Sequence, residues 1–324
     1  MSIITHALVT GANGFIGSNL CRLLRARDIP VRALVLAGTD TSNIAQPGIE
    51  IVTADIGVAL DPALFAGISH VFHLAAIALD WGPDALFERV NVGGTRHVLE
   101  ASLAAGVAHV VHVSSLAVHP YVGHPDGSES TPRGWDLNAY TRTKNRAEDV
   151  VQSFRKKLAV TVIRPGVVPY GPGDRLSMPG IVDALARGIY AHVGGGNTRV
   201  CLSYVENLVE GMLLAACREG DSGEVYVLSD DIVTWREFID SVADAFGVPR
   251  ARRTIPFALA WAVAVVCEWA WKFLPLRGVP PLTRYRISLF RGDLVFSNHK
   301  ARRELGYVPR VGLKEGLDRT RRGL

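Results

Sequence analysis

Two side chains in residues 138–144 can exchange a proton with a substrate. Tyr140 and Lys144 are four positions apart, a spacing that places two side chains on one face of a helix. A free phenol has a pKa of about 10, and a neighbouring cation lowers that value. We therefore expect Lys144 to lower the pKa of Tyr140, so that the phenol can move a proton to or from a substrate hydroxyl near neutral pH.

A glycine-rich turn near the N-terminus has the form of a phosphate-binding loop. It follows the apolar run 7–10, precedes a helical pattern and has the spacing G-x-x-G-x-x-G. Gly11 permits the tight turn, Gly14 lets the backbone approach a pyrophosphate, and Gly17 allows close packing of the helix on a sheet. The helix N-terminus favours the negative charge. The turn therefore predicts a dinucleotide site, with cofactor contacts from Gly11, Asn13, Gly14, Phe15, Ile16 and Gly17.

The adenosine end of this site leaves the type of dinucleotide open. An acid at the end of the second strand usually holds the ribose hydroxyls, but residues 35–36 are valine and leucine. Thr39, Asp40 and Ser42 in the following loop are the alternatives. No arginine follows the strand for a 2′-phosphate, so NAD is slightly favoured over NADP. Asp55, after the third strand, is expected to accept a hydrogen bond from the adenine amino group. The alternative interpretation is that Asp55 is a solvated turn residue.

The chain has the composition of an ordinary globular protein. Its 324 residues are 48% hydrophobic and 20% charged, with a formal net charge of +4, which is too small and too dispersed to indicate nucleic-acid binding. The histidines show no ligand spacing, so no metal is expected. Residues 1–6 carry no signal-peptide pattern, and a cytoplasmic location is expected. Widely spaced cysteines indicate buried thiols in a reducing compartment, namely Cys21, Cys201, Cys217 and Cys267.

Short β-branched runs alternate with helical patterns through the first half of the chain. Strands separated by helices become parallel strands with right-handed crossovers. We therefore predict an α/β fold: a Rossmann-type doubly wound parallel sheet in residues 1–165, to which segments near 200–230 return. Prolines and glycines break regular structure in residues 165–173, and residues 166–324 are expected to form mainly a smaller C-terminal substrate-binding lobe. Residues 298–305 are expected to form its last element, a basic surface helix.

One apolar segment in the second half of the chain has two structural interpretations. Residues 255–267 carry no charge, but this run falls short of the roughly 20 residues that a membrane-spanning helix needs. The whole segment 255–273 is then either a buried core helix or an interfacial helix in peripheral contact with a membrane. The cations that flank it fit an interfacial helix and equally any solvated helix end: Arg250, Arg252, Arg253, Lys272 and Arg277.

Several short motifs occur in an order that is specific to one protein family. Over essentially its full length, the chain resembles the extended short-chain dehydrogenase/reductase family. The motifs that carry the resemblance are the glycine turn, Asp55-Ile56, His73-Leu74-Ala75-Ala76, Asn91-Val92-Gly93-Gly94-Thr95, Ser114-Ser115, Tyr140-x-x-x-Lys144 and Arg164-Pro165-Gly166.

The resemblance implies catalytic roles for three residues. In the family a serine or threonine polarises the substrate oxygen, a tyrosine is the acid/base, and a lysine binds the nicotinamide ribose and lowers the pKa of the tyrosine. Carried over, these residues are Ser115, Tyr140 and Lys144, with Ser115 preferred to Ser114 because the second serine normally has the role. Asn91 is expected to be a structural anchor near the cofactor. Contacts with NAD or NADP are implied for Asp55, Ile56, Leu74, Ala75, Ala76, Asn91, Tyr140, Lys144 and Pro165.

Two features narrow the substrate within the family. Nucleotide-sugar epimerases and dehydratases often have an asparagine after the strand that ends near Arg164, and residues 164–171 contain none. Residues 203–207 and 280–285 look like the 3β-hydroxysteroid dehydrogenase branch. The resemblance therefore implies an oxidoreductase that interconverts a secondary alcohol and a ketone on an apolar substrate: a 3β-hydroxysteroid, a sterol or a long-chain β-hydroxy or β-keto acid. A nucleotide-sugar epimerase or dehydratase and a non-catalytic NAD(P)-sensing regulator are the alternatives, and homodimers are common in the family.

Overall fold

The computed structural model describes residues 3–175, 177–218, 220 and 222–323. Short strands alternate with helices along the chain. The strands are β1 (Ala7–Thr10), β2 (Val31–Val35), β3 (Ile49–Thr53), β4 (His70–His73), β5 (His109–Val113), β6 (His124–Gly127), β7 (Ala159–Pro165), β8 (Val168–Tyr170), β9 (Ala191–Val193), β10 (Arg199–Tyr204), β11 (Glu224–Leu228), β12 (Ile232–Thr234), β13 (Arg253–Ile255) and β14 (Leu294–Phe296).

Eleven α-helices occur in the described ranges, and a turn of π-helix, Glu88–Gly93, joins the second to the third. The helices are α1 (Phe15–Ala26), α2 (Asp84–Phe87), α3 (Gly94–Ala104), α4 (Ala139–Phe154), α5 (Ser177–Ala186), α6 (Val205–Cys217), α7 (Trp235–Phe246), α8 (Phe257–Phe273), α9 (Arg284–Ser288), α10 (His299–Leu305) and α11 (Leu313–Arg322).

Seven parallel strands form the main sheet, in the order β11-β7-β5-β4-β1-β2-β3. Side chains of α1 and α6 pack on one face, and those of α3 and α4 pack on the other. Because a parallel sheet is covered on both faces, its central strands are buried along their whole length and show no strict alternation of apolar and polar residues. The predicted α/β fold with a Rossmann-type doubly wound sheet is confirmed, and β11 is the segment near 200–230 that returns to the sheet.

A second sheet is mixed and has the order β12-β10-β14-β6, with β8 paired to β10. Only the β10–β12 pairing is antiparallel among the pairings described in this sheet. Helices α5, α7 and α11 pack beside it around a separate core that includes Leu202, Trp235 and Phe238. Strand β6 comes from the first half of the chain, so this part of the molecule is not built from residues 166–324 alone.

The prediction that residues 298–305 are the last element is wrong. They form α10, but α11 follows it. Leu313 and Leu317 are the only large apolar residues of α11, so its apolar face is too small to give a clear periodicity. Within the apolar segment 255–273, residues 257–273 form α8, and Ile255 ends β13. None of the helices in the described ranges combines the length and the apolar character that crossing a membrane requires.

The cysteines follow the prediction in part. All four are free thiols. Cys21 and Cys201 are buried, whereas Cys217 and Cys267 are only half-buried.

Candidate active site

The glycine turn joins β1 to α1 and lies against the segment that follows β4. Gly11 has a φ of +64°, and a Cβ there would come within 2.9 Å of the backbone of Ala75. A Cβ on Gly17 would lie 2.2 Å from the carbonyl oxygen of Gly11. Gly14 begins α1 without a side-chain cap, so the N–H groups of the first helical turn can receive an anion. These contacts leave a backbone cradle that fits a pyrophosphate.

Thr10 and His73 hold two strand ends together beside this turn. The Thr10 hydroxyl accepts hydrogen bonds from the N–H groups of Leu74 and Ala75, both at 3.1 Å. It also lies 2.8 Å from Nδ1 of His73, whose Nε2 is 3.1 Å from the hydroxyl of Thr95. Burial lowers the pKa of His73 to about 3, so a neutral ring links the two hydroxyls. The sequence patterns did not identify Thr10 as part of the site.

A cavity of about 470 Å³ opens beside the glycine turn. This volume is within the range of small-molecule sites, and Leu36 supplies part of its apolar wall. The residues predicted to bind the cofactor that line it are Gly11, Asn13, Gly14, Asp55, Ile56, Leu74, Ala75 and Ala76. The predicted residues that are not part of its wall are Phe15, Ile16, Gly17, Asn91, Tyr140, Lys144 and Pro165.

Asp55 lines this cavity and is engaged by an arginine. Its Oδ2 accepts a hydrogen bond from Nη1 of Arg89 at 2.8 Å, and its Oδ1 accepts one from the N–H of Gly57 at 2.8 Å. The hydrogen bond from Arg89 is the main cause of the lowered pKa of Asp55. The guanidinium of Arg89 lines the cavity too. Arg89 therefore supplies a cation beside the cavity, although the loop after β2 has no arginine for a 2′-phosphate. The composition of that loop alone does not decide between NAD and NADP.

Asn13 connects the glycine turn to the loop after β2. Its Nδ2 donates hydrogen bonds to Oγ1 of Thr39 at 3.0 Å and to the carbonyl oxygen of Asp40 at 2.9 Å. Asn43 donates from Nδ2 to the carbonyl oxygen of Asn13 at 2.9 Å. The N–H of Ser42 donates to Oδ1 of Asp40 at 2.9 Å. Thr39 and Asp40 are two of the three residues expected as alternatives for holding the ribose hydroxyls. Both therefore lie next to the glycine turn.

Helix α4 places Tyr140 in its first turn. Asn138 caps the helix: its Oδ1 accepts from the N–H of Thr141 at 2.9 Å, and Oγ1 of Thr141 accepts from the N–H of Asn138 at 3.2 Å. This reciprocal capping fixes the start of the helix. Tyr140 is half-buried, and its phenol lies close enough to the hydroxyl of Ser115 for that hydroxyl to lower its pKa. Because Oγ of Ser115 already accepts from the N–H of Ala117 at 3.1 Å, its own hydrogen is available to the phenol oxygen.

The expectation that Lys144 lowers the pKa of Tyr140 is not met in the structure. Burial raises the pKa of Tyr140, and the hydrogen bond with Ser115 opposes that shift only in part. Lys144 is buried, and its Nζ donates to the carbonyl oxygen of Val113 at 2.8 Å. Burial lowers the pKa of Lys144 to about 8. Burial acts on both groups, and the ammonium is directed at a backbone carbonyl rather than at the phenol, which explains the difference.

Ser114 and Ser115 have different partners. The hydroxyl of Ser114 donates to Oε1 of Glu148 at 2.5 Å, inside the protein. Arg164 donates from Nε and Nη2 to the two oxygens of the same carboxylate, at 2.9 and 2.6 Å. Burial would raise the pKa of Glu148, but the hydrogen bonds and charge of Arg164 keep it lowered. Ser114 thus belongs to a buried ion pair, whereas Ser115 contacts Tyr140.

Three aromatic side chains pack beside Tyr140. The ring of Tyr285, at the start of α9, is edge-on to that of Tyr140, with centroids 5.9 Å apart. The rings of Tyr121 and Trp135 are 4.7 Å apart, and each is 5.9 Å from Tyr285. We call Tyr121, Trp135 and Tyr285 the aromatic wall; its members come from separate segments, so no sequence motif identified it.

Asp80, in the loop after β4, connects the aromatic wall to α4. Its Oδ2 accepts a hydrogen bond from Oγ1 of Thr283 at 2.5 Å, and its Oδ1 accepts one from Nη2 of Arg286 at 2.8 Å. Its backbone carbonyl accepts from Nδ2 of Asn138, the cap of α4, at 3.1 Å. The start of α9 and the start of α4 are therefore held together.

Asn91 is an anchor between the cavity and α4. It accepts a hydrogen bond from the N–H of Ile77 at 2.8 Å and donates to the carbonyl of Ile77 and the hydroxyl of Thr143, both at 3.1 Å. Pro165 ends β7, next to Arg164 of the buried ion pair.

In the ranges that the structure describes, no three His, Cys, Asp or Glu side chains are grouped so that they could hold a metal ion.

Comparison with known proteins assigns the family. The family model described as "NAD dependent epimerase/dehydratase family" matches residues 7–229, more than half of the chain. The chain belongs to this family. The predicted membership of the extended short-chain dehydrogenases/reductases is confirmed, and so is the prediction of a nicotinamide-dependent enzyme that acts on CH–OH groups.

Several relatives in this family align over nearly the whole chain. The 2-alkyl-3-oxoalkanoate reductase of Stenotrophomonas maltophilia (strain K279a) is 33% identical, covering 97% of this chain and 98% of the relative. The 4-hydroxy-2-methyl-3-oxo-4-farnesyl-3,4-dihydroquinoline-1-oxide ketoreductase of Stigmatella aurantiaca is 35% identical, covering 98% and 96%. The 3 beta-hydroxysteroid dehydrogenase/Delta 5-->4-isomerase of Mycobacterium tuberculosis (strain ATCC 25618 / H37Rv) is 33% identical, covering 96% and 88%.

Solved structures share the fold. The crystal structure of gox2253 superposes with a TM-score of 0.81 and 29% identity, covering 98% of this chain and 97% of that one. DesIV, a dTDP-glucose 4,6-dehydratase from Streptomyces venezuelae solved with NAD and TYD bound, superposes with a TM-score of 0.76 and 26% identity, covering 98% and 96%.

Proposed function

We propose that this family member interconverts a ketone and a secondary alcohol on an apolar substrate, such as a long-chain 2-alkyl-3-oxo acid, a sterol or a 3β-hydroxysteroid. The observation that carries the proposal is the placement of Tyr140 beside Ser115, close to the buried Lys144 and packed against the aromatic wall. The names of the relatives support a keto or hydroxy group on a largely apolar molecule.

The surroundings of Tyr140 favour an apolar substrate over a sugar nucleotide. Aromatic rings present large apolar surfaces, and a diphosphate would need cations. Arg286, one of the two arginines next to Tyr285 in the sequence, is already engaged by Asp80 at 2.8 Å. The guanidinium of Arg164 is bound on two sides by Glu148. These two arginines are therefore occupied by carboxylates of the protein itself.

The residues at the glycine turn fit a nicotinamide dinucleotide. The cradle of Gly11, Gly14 and Ala75 would hold the pyrophosphate, and the cavity lined by Asp55 and Leu36 would hold the adenosine. When bound, the cofactor supplies a hydride to the substrate carbon or accepts one from it. We favour NAD slightly, and Arg89 is the residue through which NADP would bind instead.

Ser115 and Tyr140 would act together on the substrate oxygen. In the reductive direction the phenol of Tyr140 gives its proton to that oxygen, and the hydroxyl of Ser115 hydrogen-bonds to the same atom. The proton moves from the phenol to the product hydroxyl, and solvent later restores it. Lys144 offsets the negative charge that Tyr140 carries in between. In the oxidative direction Tyr140 removes the hydroxyl proton.

The protonation of Tyr140 favours the reductive direction. Burial raises the pKa of the phenol, so near neutral pH the group holds its proton and is ready to donate it. A phenolate that accepts a proton would require alkaline conditions. We therefore propose that ketone reduction is the faster direction at neutral pH.

The experiment is a substrate comparison that follows nicotinamide absorbance and, for UDP-glucose, also the sugar-nucleotide product by chromatography, because an epimerase causes no net change in the nicotinamide. A long-chain 2-alkyl-3-oxo acid, a 3β-hydroxysteroid and UDP-glucose are each offered with NAD(H) and NADP(H). We expect turnover with an apolar keto or hydroxy substrate, and a fall of at least about a hundredfold in Tyr140→Phe, because the proton donor is lost.

The matched control is Tyr226→Phe, which removes a phenol hydroxyl bound to Glu304 rather than to Ser115. Its turnover should stay within about twofold of the parent, as expected of a group that makes no contact with the reacting atoms. Turnover confined to UDP-glucose, or full activity in Tyr140→Phe, would overturn the proposal.

A further inference from the structure

One face of α8 is apolar and exposed. Val266 is 67% exposed, Trp269 66% and Phe273 66%. Their positions, with Leu259 and Val263, share one side of the helix at spacings of three and four. Leu274, Leu276 and Val279 continue the exposed surface beyond the end of the helix. We call these residues the α8 face. Large contiguous apolar surfaces on a folded protein mark interaction sites.

The opposite side of α8 is packed, so the helix has a defined orientation. Ala260 and Ala264 are buried against a small core that includes Val193 and Ile287. Glu268 accepts hydrogen bonds from the N–H and from Nε of Arg284, both at 2.6 Å. A helix that is apolar on all sides is usually buried in a core or in lipid. Here one side is in the core and the other is left outside.

The charged residues of the segment that carries the α8 face are nearly all cations. Residues 251–292 contain seven arginine or lysine residues and a single acid, Glu268. That acid is neutralised by Arg284. The cations at both ends of the face are exposed, and the described ion pairs do not include them: Arg252, Arg253, Lys272 and Arg277. A surface that complements this face is apolar inside and anionic outside.

A second copy of the chain does not complement it. Two copies related by a twofold axis would present the same patch to each other. Because Arg252 and Arg253 lie before the helix and Lys272 and Arg277 lie at or after its end, parallel and antiparallel pairings both bring cations towards cations. No acid of residues 251–292 is available to balance them.

We propose that the α8 face docks the protein on an anionic lipid surface, with the helix axis parallel to the membrane. Apolar side chains of such a helix enter the boundary between headgroups and acyl chains, and flanking cations contact the anionic headgroups. Trp269 has the amphipathic ring that is common at this depth. The inference concerns the exposed side of α8 and does not depend on which substrate the enzyme uses.

The test is co-sedimentation of the full chain with vesicles. One set contains phosphatidylcholine and phosphatidylglycerol in equal parts, and the other contains phosphatidylcholine alone. We expect binding to the anionic set and at least about tenfold weaker binding to the neutral set. The double variant Val266→Asn/Phe273→Ser should lose at least about tenfold in binding to anionic vesicles, because its apolar contact is reduced.

Two further variants separate the causes. Lys272→Glu/Arg277→Glu should abolish the preference for anionic vesicles while keeping the apolar residues. Val308→Ser replaces a side chain that is 61% exposed but lies outside the face, and its binding should equal that of the parent. Thermal melting and gel filtration verify that each variant is folded.

Two results would overturn the proposal. One is equal vesicle binding by the parent and by Val266→Asn/Phe273→Ser. The other is a parent that forms dimers in sedimentation equilibrium, loses them in the same variant and does not bind either vesicle. The second result would assign the face to a contact between copies.

Discussion

Helices α4 and α8 are 16 and 17 residues long and depart from the usual distribution of side chains in opposite directions. In α4, polar and charged side chains are buried, among them Thr143, Lys144 and Glu148. In α8, large apolar side chains such as Val266 and Trp269 are exposed. Both departures cost free energy unless a partner compensates them.

The difference between the helices is where the compensating partner comes from. Each buried polar group of α4 has one inside the protein: Thr143 donates to the carbonyl of Ala139, Lys144 to that of Val113, and Glu148 accepts from Arg164. The exposed apolar groups of α8 have no comparable partner in the described part of the chain. The buried polar groups of α4 are stabilised inside the protein, beside the candidate active site. The exposed apolar groups of α8 indicate a partner outside the protein.

The largest effect is expected when the buried ion pair between Glu148 of α4 and Arg164 is broken. Glu148→Gln leaves the guanidinium of Arg164 buried without its counter-charge, which costs about 3–5 kcal/mol of unfolding free energy. Urea denaturation measures the change. Asp183→Asn is the control, because its ion pair with Arg187 is exposed and its loss should cost less than about 1 kcal/mol. A similar small cost for both variants would mean that α4 does not depend on its buried charges.

The second prediction separates the two serines that face α4. Ser115→Ala should lower turnover by about a hundredfold, since the substrate oxygen loses a hydrogen bond made during the reaction. Ser114→Ala should leave turnover nearly unchanged and cost about 1–3 kcal/mol of unfolding free energy, because Oε1 of Glu148 loses one of its two donors. Steady-state kinetics and urea denaturation are measured on both variants. The opposite result, with turnover lost in Ser114→Ala alone, would exchange the roles.

A third pair of variants tests the two sides of α8. Ala264→Leu forces extra volume into a packed site where the side chain is fully buried, and should cost about 1–3 kcal/mol of unfolding free energy. Val266→Asn, two positions away on the exposed side, should change stability by less than about 0.5 kcal/mol. Thermal and urea denaturation compare them. A large loss in Val266→Asn would show that the face is covered by the protein's own residues.

The smallest effect concerns the ionisation of Lys144. Burial lowers its pKa to about 8, so in cofactor-free protein the Nζ should lose its proton near that pH. Nitrogen NMR of lysine-labelled protein follows the titration, and Lys144→Met assigns the signal. Glu148→Gln should lower the pKa further, because the negative charge of Glu148 raises it. A titration near the ordinary lysine value, about 10.4, would mean that α4 leaves this group accessible to water.

Local patterns in the sequence were sufficient for the elements that carry the site. The glycine turn after β1 and the spacing of Tyr140 and Lys144 on α4 are short-range signals, and the structure has the corresponding strand, turn and helix. The alternation of short β-branched runs with helical patterns likewise predicted the doubly wound sheet.

Pairings between distant residues were not predictable in the same way. The partner of Asp55 is Arg89, from a π-helical turn, and Tyr285 reaches Tyr140 only because α9 is held by Asp80. Periodicity encodes which face of an element is buried, not what it meets there. For the same reason, the spacing of Tyr140 and Lys144 did not reveal that the ammonium binds a backbone carbonyl, and the pKa of the phenol was predicted in the wrong direction.

The contact between Glu268 and Arg284 has a consequence for binding equilibria. Arg284 is the residue before Tyr285, so a hydrogen-bonded pair connects α8 directly to the side chain packed on Tyr140. Thermodynamic linkage is reciprocal: if substrate strengthens attachment to lipid by some factor, lipid strengthens the binding of substrate by the same factor. The apparent affinity for a ketone would then depend on the amount of membrane area present as well as on the pocket.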